Sequence, residues 1–263
     1  MDVHAPHTLD EALRLRGEEP GARPIAGGTD LMVALNAERA RPDALIDLGR
    51  VEELRGWHRE GDELVLGAAV TYTQAAGGEL LSELPALAAA SRTVGSPQIR
   101  NRGTIGGNLG TASPAGDALP PLLIEDARIE IASSRRRRTL PLSDFLVGPK
   151  RNALEDDELV VAIRIRPSGA RQTFMKVGPR NAMVISICSL ALSADRERGE
   201  LRAAFGSAGP VARLVTAPID EAESFSERVM DAATPIDDQR GTAAYRNHAL
   251  GVLTRRALAR CLV

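Results

Sequence analysis

Two cysteines in 263 residues, Cys188 and Cys261, are too few for a disulfide framework, a four-thiolate zinc site or an iron–sulfur cluster. The four histidines, His4, His7, His58 and His248, make no HxH or HExxH spacing, so no metal is expected on this chain. Aromatics are 3% of the residues and the net charge is −2, which leaves neither a stacking platform nor a basic field for nucleic acid. No apolar run reaches roughly 18 residues, and the opening MDVHAPHTLDEALRL lacks a basic region followed by an apolar one. Neither a membrane span nor a signal peptide is read, and a cytoplasmic location is expected. The one strong local charge is Arg135 to Arg138, between ARIEIA and TLPL, and it reads as a solvated hairpin tip.

What is present is a hydrophobic fraction of 43%, enough for a sizeable core, and a pattern that changes texture along the chain. Thr8 followed by Glu11 predicts a capping box and an amphipathic helix of about ten residues. RPIAGGTDLMVALN runs from a short apolar segment through two glycines into a helical pattern starting at Thr29 or Asp30, and DALIDL, 43–48, is the next strand. Together they predict a small βαβ module. A strand from Leu64, helical pieces over 73–94 and strands at 128–132, 138–142 and 159–166 follow. Beyond Pro167-Ser168-Gly169, QTFMKVG, AMVISICSLALSA and LRAAFGSAG read as strands, and IDEAESFSERVMDAA and TAAYRNHALGVLTRRALARCL as helices. The expected organisation is α+β, with subdomains of about 1–57 and 58–168 and a smaller C-terminal domain, 169–263, of antiparallel sheet plus helices.

Two glycine stretches carry the chemistry: Ala26-Gly27-Gly28-Thr29-Asp30, and Thr104-Ile105-Gly106-Gly107-Asn108 inside the loop-like IRNRGTIGGNLGTASPAGDALP, 99–120. Paired glycines let backbone N–H groups point into a concavity without a Cβ in the way, Thr and Asn add donors, and a helix N-terminus adds positive potential. That set suits a pyrophosphate. Each pair is also compatible with a plain turn, and Asp30 with a simple helix cap. Neither stretch is GxGxxG or GxxxxGK[ST], so the common dinucleotide and P-loop motifs are excluded.

PIAGGTDL and TIGGNLGTASPAGD, in this order, resemble the FAD-binding medium subunit of the molybdenum hydroxylases, the group that includes xanthine dehydrogenase and aerobic carbon monoxide dehydrogenase. The resemblance continues through DFLVGPKRNALEDDELVVAIRIRP, FMKVGPRNAMVIS and DQRGTAAYR. It implies a two-subdomain FAD-binding domain of the vanillyl-alcohol oxidase type and non-covalent FAD. By position Pro24, Ile25, Ala26, Gly27, Gly28, Thr29, Asp30 and Leu31 would wrap the pyrophosphate, with Thr104, Ile105, Gly106, Gly107 and Asn108 on its other side. Asp117 matches an acid that contacts FAD in family members, Val94, Val160 and Lys176 fall at the family's cofactor-lining positions, and Val184 falls where the family places a residue over one face of the isoalloxazine ring. Lys176 would favour anionic reduced flavin, or would be a structural lysine beside Arg180.

The resemblance further implies electron flow from a molybdopterin centre on a large partner, through two-iron clusters on a small partner, to FAD here and then to NAD or another acceptor. No catalytic base is identified on this chain. Some relatives insert a loop with a four-iron cluster, for which this chain has no cysteine set. The chain is short for the family, so the C-terminal domain is read as trimmed, and Cys188 as a small buried hydrophobe. Other readings are a stand-alone flavin oxidase, which normally places a His or Cys for covalent attachment that neither glycine stretch contains, a flavin-less assembly subunit, and a nucleic-acid binder using Arg135 to Arg138.

Overall fold

The computed structural model describes residues 1–263. The first module is a three-stranded parallel sheet of β1 (Asp2–His4), β2 (Arg23–Ile25) and β3 (Ala44–Asp47), in the order β1-β3-β2. Helix α1 (Leu9–Glu18) joins β1 to β2 and α2 (Leu31–Asn36) joins β2 to β3. Thr8 caps α1 by accepting from the Glu11 N–H at 3.2 Å, while the Glu11 carboxylate accepts from the His7 N–H at 2.9 Å, one residue before the expected partner. Leu9, Ala12 and Leu13 bury the inner face of α1. α2 begins later than expected, at Leu31, and buries none of its side chains.

The second sheet is antiparallel, in the order β4 (Trp57–Glu60), β5 (Glu63–Gly67), β10 (Leu159–Ile165), β6 (Arg128–Ala132), β7 (Arg137–Pro141). Between β5 and β6 the chain builds six short helices: α3 (Tyr72–Ala75), α4 (Glu79–Glu83), α5 (Pro85–Thr93), α6 (Pro97–Arg102), α7 (Ile105–Thr111) and α8 (Leu119–Ile124). The expected glycine-rich loop over 99–120 is therefore corrected: most of it is helical. Thr104 caps α7 through the Gly107 N–H at 2.9 Å, and packing of α7 against β10 and against Ala68, just after β5, outweighs the weak helix propensity of its glycines.

Strands β6 (Arg128–Ala132) and β7 (Arg137–Pro141) form a hairpin, followed by α9 (Leu142–Phe145), the small hairpin β8 (Leu146–Gly148) and β9 (Arg151–Asn152), and the central strand β10 (Leu159–Ile165). The arginine run is at the hairpin as expected but is not simply solvated. Arg135 pairs with Asp157 at 2.7 Å, Arg136 pairs with Glu155, and Arg138 pairs with the buried Glu158 at 2.6 Å. Four arginines in a row are tolerated because the 155–158 turn supplies counter-charge to Arg135, Arg136 and Arg138, and Glu130 of β6 faces Arg137 at 3.5 Å.

The C-terminal part is an antiparallel meander of β11 (Arg171–Val177), β12 (Cys188–Asp195), β13 (Glu200–Gly206) and β14 (Arg213–Pro218), with α10 (Phe225–Asp231) and α11 (Ala243–Cys261) after it. β12 is buried along its whole length because both faces are covered. Cys188, Leu190 and Leu192 face the core under α11, whereas Ala191 joins the main core shared with the first two sheets. The period of two divides one strand between two cores. β12 starts at Cys188, later than its apolar run suggests, because 181–186 leaves the ladder with β11: Met183 has φ +52° and Ser186 points inward.

Candidate functional site: the groove between the first glycine loop and α7

The two glycine stretches, far apart in sequence, meet in space. A Cβ on Gly27 would stand 1.9 Å from the Arg102 carbonyl oxygen and 3.0 Å from the Gly103 Cα. At the other end of the loop the Thr111 hydroxyl donates to Asp30 Oδ2 at 3.2 Å. Asp30 therefore reaches the end of α7 and makes no side-chain cap to its own helix. The loop runs along α7 on the face that carries Gly107, one turn before Thr111.

The donors of the loop itself are unused. None of the N–H groups of Gly27, Gly28, Thr29, Asp30 and Leu31 has an acceptor within the chain, and Gly28 has φ +74°, which only glycine adopts without strain. Runs of unpaired backbone donors of this kind can hold an anion. The second stretch differs. The Ile105 N–H donates to Val70 O, Gly106 to Ala68 O, Gly107 to Thr104 Oγ1 and Asn108 to Thr104 O, at 2.9 to 3.0 Å, so the N-terminal donors of α7 are already used. Its two glycines have unlike reasons. A Cβ on Gly106 would lie 2.5 Å from the Ala68 carbonyl oxygen, whereas one on Gly107 would meet only Thr104 Oγ1, at 2.9 Å. Gly106 lets the helix dock, and Gly107 keeps the outer face of α7 clear. Asn108 Oδ1 is buried without a partner.

Beyond Gly103 lies a charged pair. Lys176 Nζ donates to Asp117 Oδ2 at 2.6 Å, to Thr93 O at 2.9 Å and to Val184 O at 3.3 Å. Ser186 Oγ donates to Asp117 Oδ1 at 2.5 Å, and the side chains of Lys176 and Asp117 are 8% and 7% exposed. Burial pushes the Asp117 carboxyl above its usual range, against the opposing pull of Lys176 and Ser186. Tyr72 connects this pair to the loop. Its N–H donates to Gly103 O at 3.0 Å, its ring lies beside Gly103, and burial and the nearby Asp117 raise its hydroxyl.

Thus Gly27 to Leu31 meet the ends of the segment that carries Thr104 to Asn108, within which Ile105 is fully buried, while Asp117, Lys176 and Val184 form a second cluster that Val94 adjoins at the end of α5, next to Thr93. Pro24 and Ile25 lead into the loop from β2, with Ala26 between. Val160 does not reach the surface: it is buried in the main core, at a bulge of β10. Lys176 is held by Asp117, while Arg180 bonds the Met183 carbonyl at 3.1 Å, so the two side chains are not partners. Ser186 and Tyr72 were missed by sequence reasoning. The inward serine in VISICS carries no local signal, but Tyr72, just after the helix cap Thr71, could have been found from the capping box that Thr71 and Gln74 make. Both thiols are buried, and burial pushes Cys188 up to about 12 and Cys261 up to about 11.

A parallel βαβ module and a helix-covered antiparallel sheet, meeting at an anion-receptive glycine loop, define a nucleotide-cofactor protein of two apposed subdomains. The family described as the FAD binding domain in molybdopterin dehydrogenase matches residues 1–167, and the chain belongs to it. The chain is 33% identical to the xanthine dehydrogenase FAD-binding subunit of Escherichia coli O157:H7, over 97% of this chain and 94% of that one. It is 30% identical to the carbon monoxide dehydrogenase medium chain of Hydrogenophaga pseudoflava, over 99% and 98%. Among solved structures, carbon monoxide dehydrogenase from the same organism superposes with a TM-score of 0.92 at 27% identity, covering 100% of this chain and 97% of that one. The chain is a flavin subunit of an oxidoreductase, and FAD is its cofactor. No helix is long and apolar enough to cross a membrane.

Proposed function

We infer that this chain receives electrons from iron–sulfur clusters on a small partner subunit, themselves fed by a molybdopterin centre on a large partner, and passes them through FAD to NAD or another acceptor in the cytoplasm. The observation that carries the site assignment is the run of unpaired N–H groups from Gly27 to Leu31, lying along the cleared face of α7. The residues fit FAD. Gly27 to Leu31 would hold the pyrophosphate with their backbone, Gly107 leaves room for it, and the orphaned Asn108 Oδ1 offers an acceptor. Pro24, Ile25 and Ala26 fix the entry of the loop. Thr104 and Ile105 seat α7, and Val160 lies on the strand against which that helix packs.

Bound FAD supplies the step between paired and single electrons. The chain's own residues orient and tune it. Lys176 would place a positive charge near the flavin, Asp117 and the Thr93 and Val184 carbonyls hold that charge in place, and Val94 would line the site beside it. Val184 is small, leaving one ring face open to an acceptor. Co-expression with large molybdopterin and small iron–sulfur subunits tests the assembly. A co-purifying complex whose FAD is reduced only when the partners and their substrate are present supports it. A chain that stays alone in their presence and oxidises a small substrate by itself refutes it.

A further inference from the structure

Of the fully buried side chains in this protein the largest is a charged one, Arg246, 1% exposed, and the site described above does not account for it. It lies in the first turns of α11, at the end of DQRGTAAYR. That sequence folds as one device. Asp238 and Gly241 exchange backbone bonds in a tight turn, Thr242 caps α11 by accepting from the Tyr245 N–H at 3.2 Å, and Asp237 accepts from the Ala243 N–H at 2.5 Å. Arg246 then reaches inward. One nitrogen donates to the Ile187 carbonyl at 2.5 Å and to the Ser207 carbonyl at 2.8 Å, and the other to Asp238 Oδ1 at 2.6 Å.

Both carbonyls belong to segments that converge on Asp117. Ile187 follows Ser186, whose hydroxyl donates to Asp117 Oδ1, and the Ile187 N–H is itself fixed to Val177 O at 2.8 Å, next to Lys176. Ser207, a non-glycine residue at φ +60°, donates its N–H to Pro114 O at 2.8 Å, in the SPAGD turn that ends at Asp117. A guanidinium is suited to this because its donors are fixed in one plane, so two carbonyls bound by it are fixed relative to each other. The Gly241 turn closes over the same place, since a Cβ on Gly241 would lie 3.1 Å from Ile187 Cγ2.

We propose that Arg246, braced by Asp238, is a positioning residue for the flavin site: it sets the Ser186 hydroxyl and the SPAGD turn on Asp117, and so the placement of the Lys176 charge. The C-terminal helix thereby completes a site whose nucleotide loops lie in the N-terminal half. The proposal rests on the assignment of FAD to the groove and goes beyond it, because none of these residues of the C-terminal helix region touches the groove.

A double-mutant cycle on the full-length chain loaded with FAD tests it, read by the FAD dissociation constant from fluorescence and by the visible absorption of the bound flavin. Ser186→Ala and Arg246→Lys are each expected to weaken FAD about tenfold and to shift the flavin spectrum in the same direction. The double variant is expected to be little worse than either, because both remove one arrangement. Independent, additive effects, or an Arg246→Lys chain with wild-type affinity and spectrum beside an altered Ser186→Ala, would overturn the positioning role and leave the groove assignment standing. If Ser186→Ala and Asp117→Asn both leave affinity and spectrum unchanged, the groove assignment falls, and the proposal with it. Should Arg246→Lys fail to fold, Asp238→Asn takes its place in the same cycle, since it removes the brace and leaves the guanidinium on its two carbonyls. Coupling to Ser186 supports the proposal and additivity overturns it.

Discussion

Adjacent glycines on α7 should fail in opposite ways. In Gly106→Ala the new methyl lies 2.5 Å from the Ala68 carbonyl oxygen, 2.6 Å from its Cβ and 2.8 Å from its Cα, well inside the roughly 3.5 Å of ordinary carbon contact. Those atoms are backbone and a short side chain, so relief requires α7 to move away from the Ala68 segment that follows β5, at a cost of about 1–3 kcal/mol for overpacking. At about 2–4 °C per kcal/mol for a chain of this size, the apo-protein melts roughly 2–12 °C lower. In Gly107→Ala the methyl meets only Thr104 Oγ1, at 2.9 Å. The gain in helix propensity, up to about 1 kcal/mol, offsets partial loss of an N-cap of similar worth, and the melting temperature stays within a few degrees. The same methyl protrudes into the groove, however, and FAD affinity should fall at least about tenfold, or about 1.4 kcal/mol. Thermal melts of both apo-variants and fluorescence titrations with FAD separate the two effects. A Gly107→Ala chain that binds FAD like the wild type, or a Gly106→Ala chain of unchanged stability, would refute the reasoning.

Removing the partner of a buried charge should cost more than removing both. Lys176→Met leaves Asp117 buried without its cation and is expected to lose about 3–5 kcal/mol, whereas the Lys176→Met/Asp117→Asn pair recovers part of that loss in urea denaturation. Gly27→Ala drives a methyl to 1.9 Å from the Arg102 carbonyl, so it should push the loop off the end of α6 and lower flavin content without unfolding the C-terminal sheet, as read by far-UV circular dichroism. Glu125, held by the Ser168 N–H and hydroxyl at 2.9 and 3.0 Å, is pushed by burial up to about 7 from 4.5. Its folded-state value is the higher one, so the native state keeps the proton that the unfolded chain releases. Stability falls as pH rises from about 4.5 to about 7, by about 3 kcal/mol from this group. Melts across that range should show a steeper decline for the wild type than for Glu125→Gln, and parallel curves would contradict the assignment.

Much of this site was legible in the sequence, but not the division of labour within it. Gly27-Gly28 and Gly106-Gly107 look alike as dipeptides, yet one sits in a loop with free donors and the other inside a capped helix. Gly106 and Gly107 argue against a helix on propensity, and tertiary packing overrides them. The start signals were nonetheless present in Ser96-Pro97 and in Thr104. Lys176 and Asp117 could be named from a family resemblance, but their pairing joins β11 to the start of α8 and has no local signature. Arg246 did leave one: it occupies the apolar phase of α11, with Ala249, Leu250, Leu253, Ala257 and Cys261 buried after it. A charge at such a position requires buried acceptors. Ser186 left none, because its direction is set by the break in β12.

The unpaired amides are the most direct test of the central claim. Hydrogen exchange at the individual backbone amides of the full-length chain, with and without FAD, compares Gly27 to Leu31 with Ile105 to Asn108. If the first loop holds the pyrophosphate, the five N–H groups that have no acceptor in the chain exchange fast in the absence of FAD and become protected when it binds, while those of Ile105, Gly106, Gly107 and Asn108, already bonded, change little. Protection appearing at the α7 donors with Gly27 to Leu31 unaffected would contradict the account.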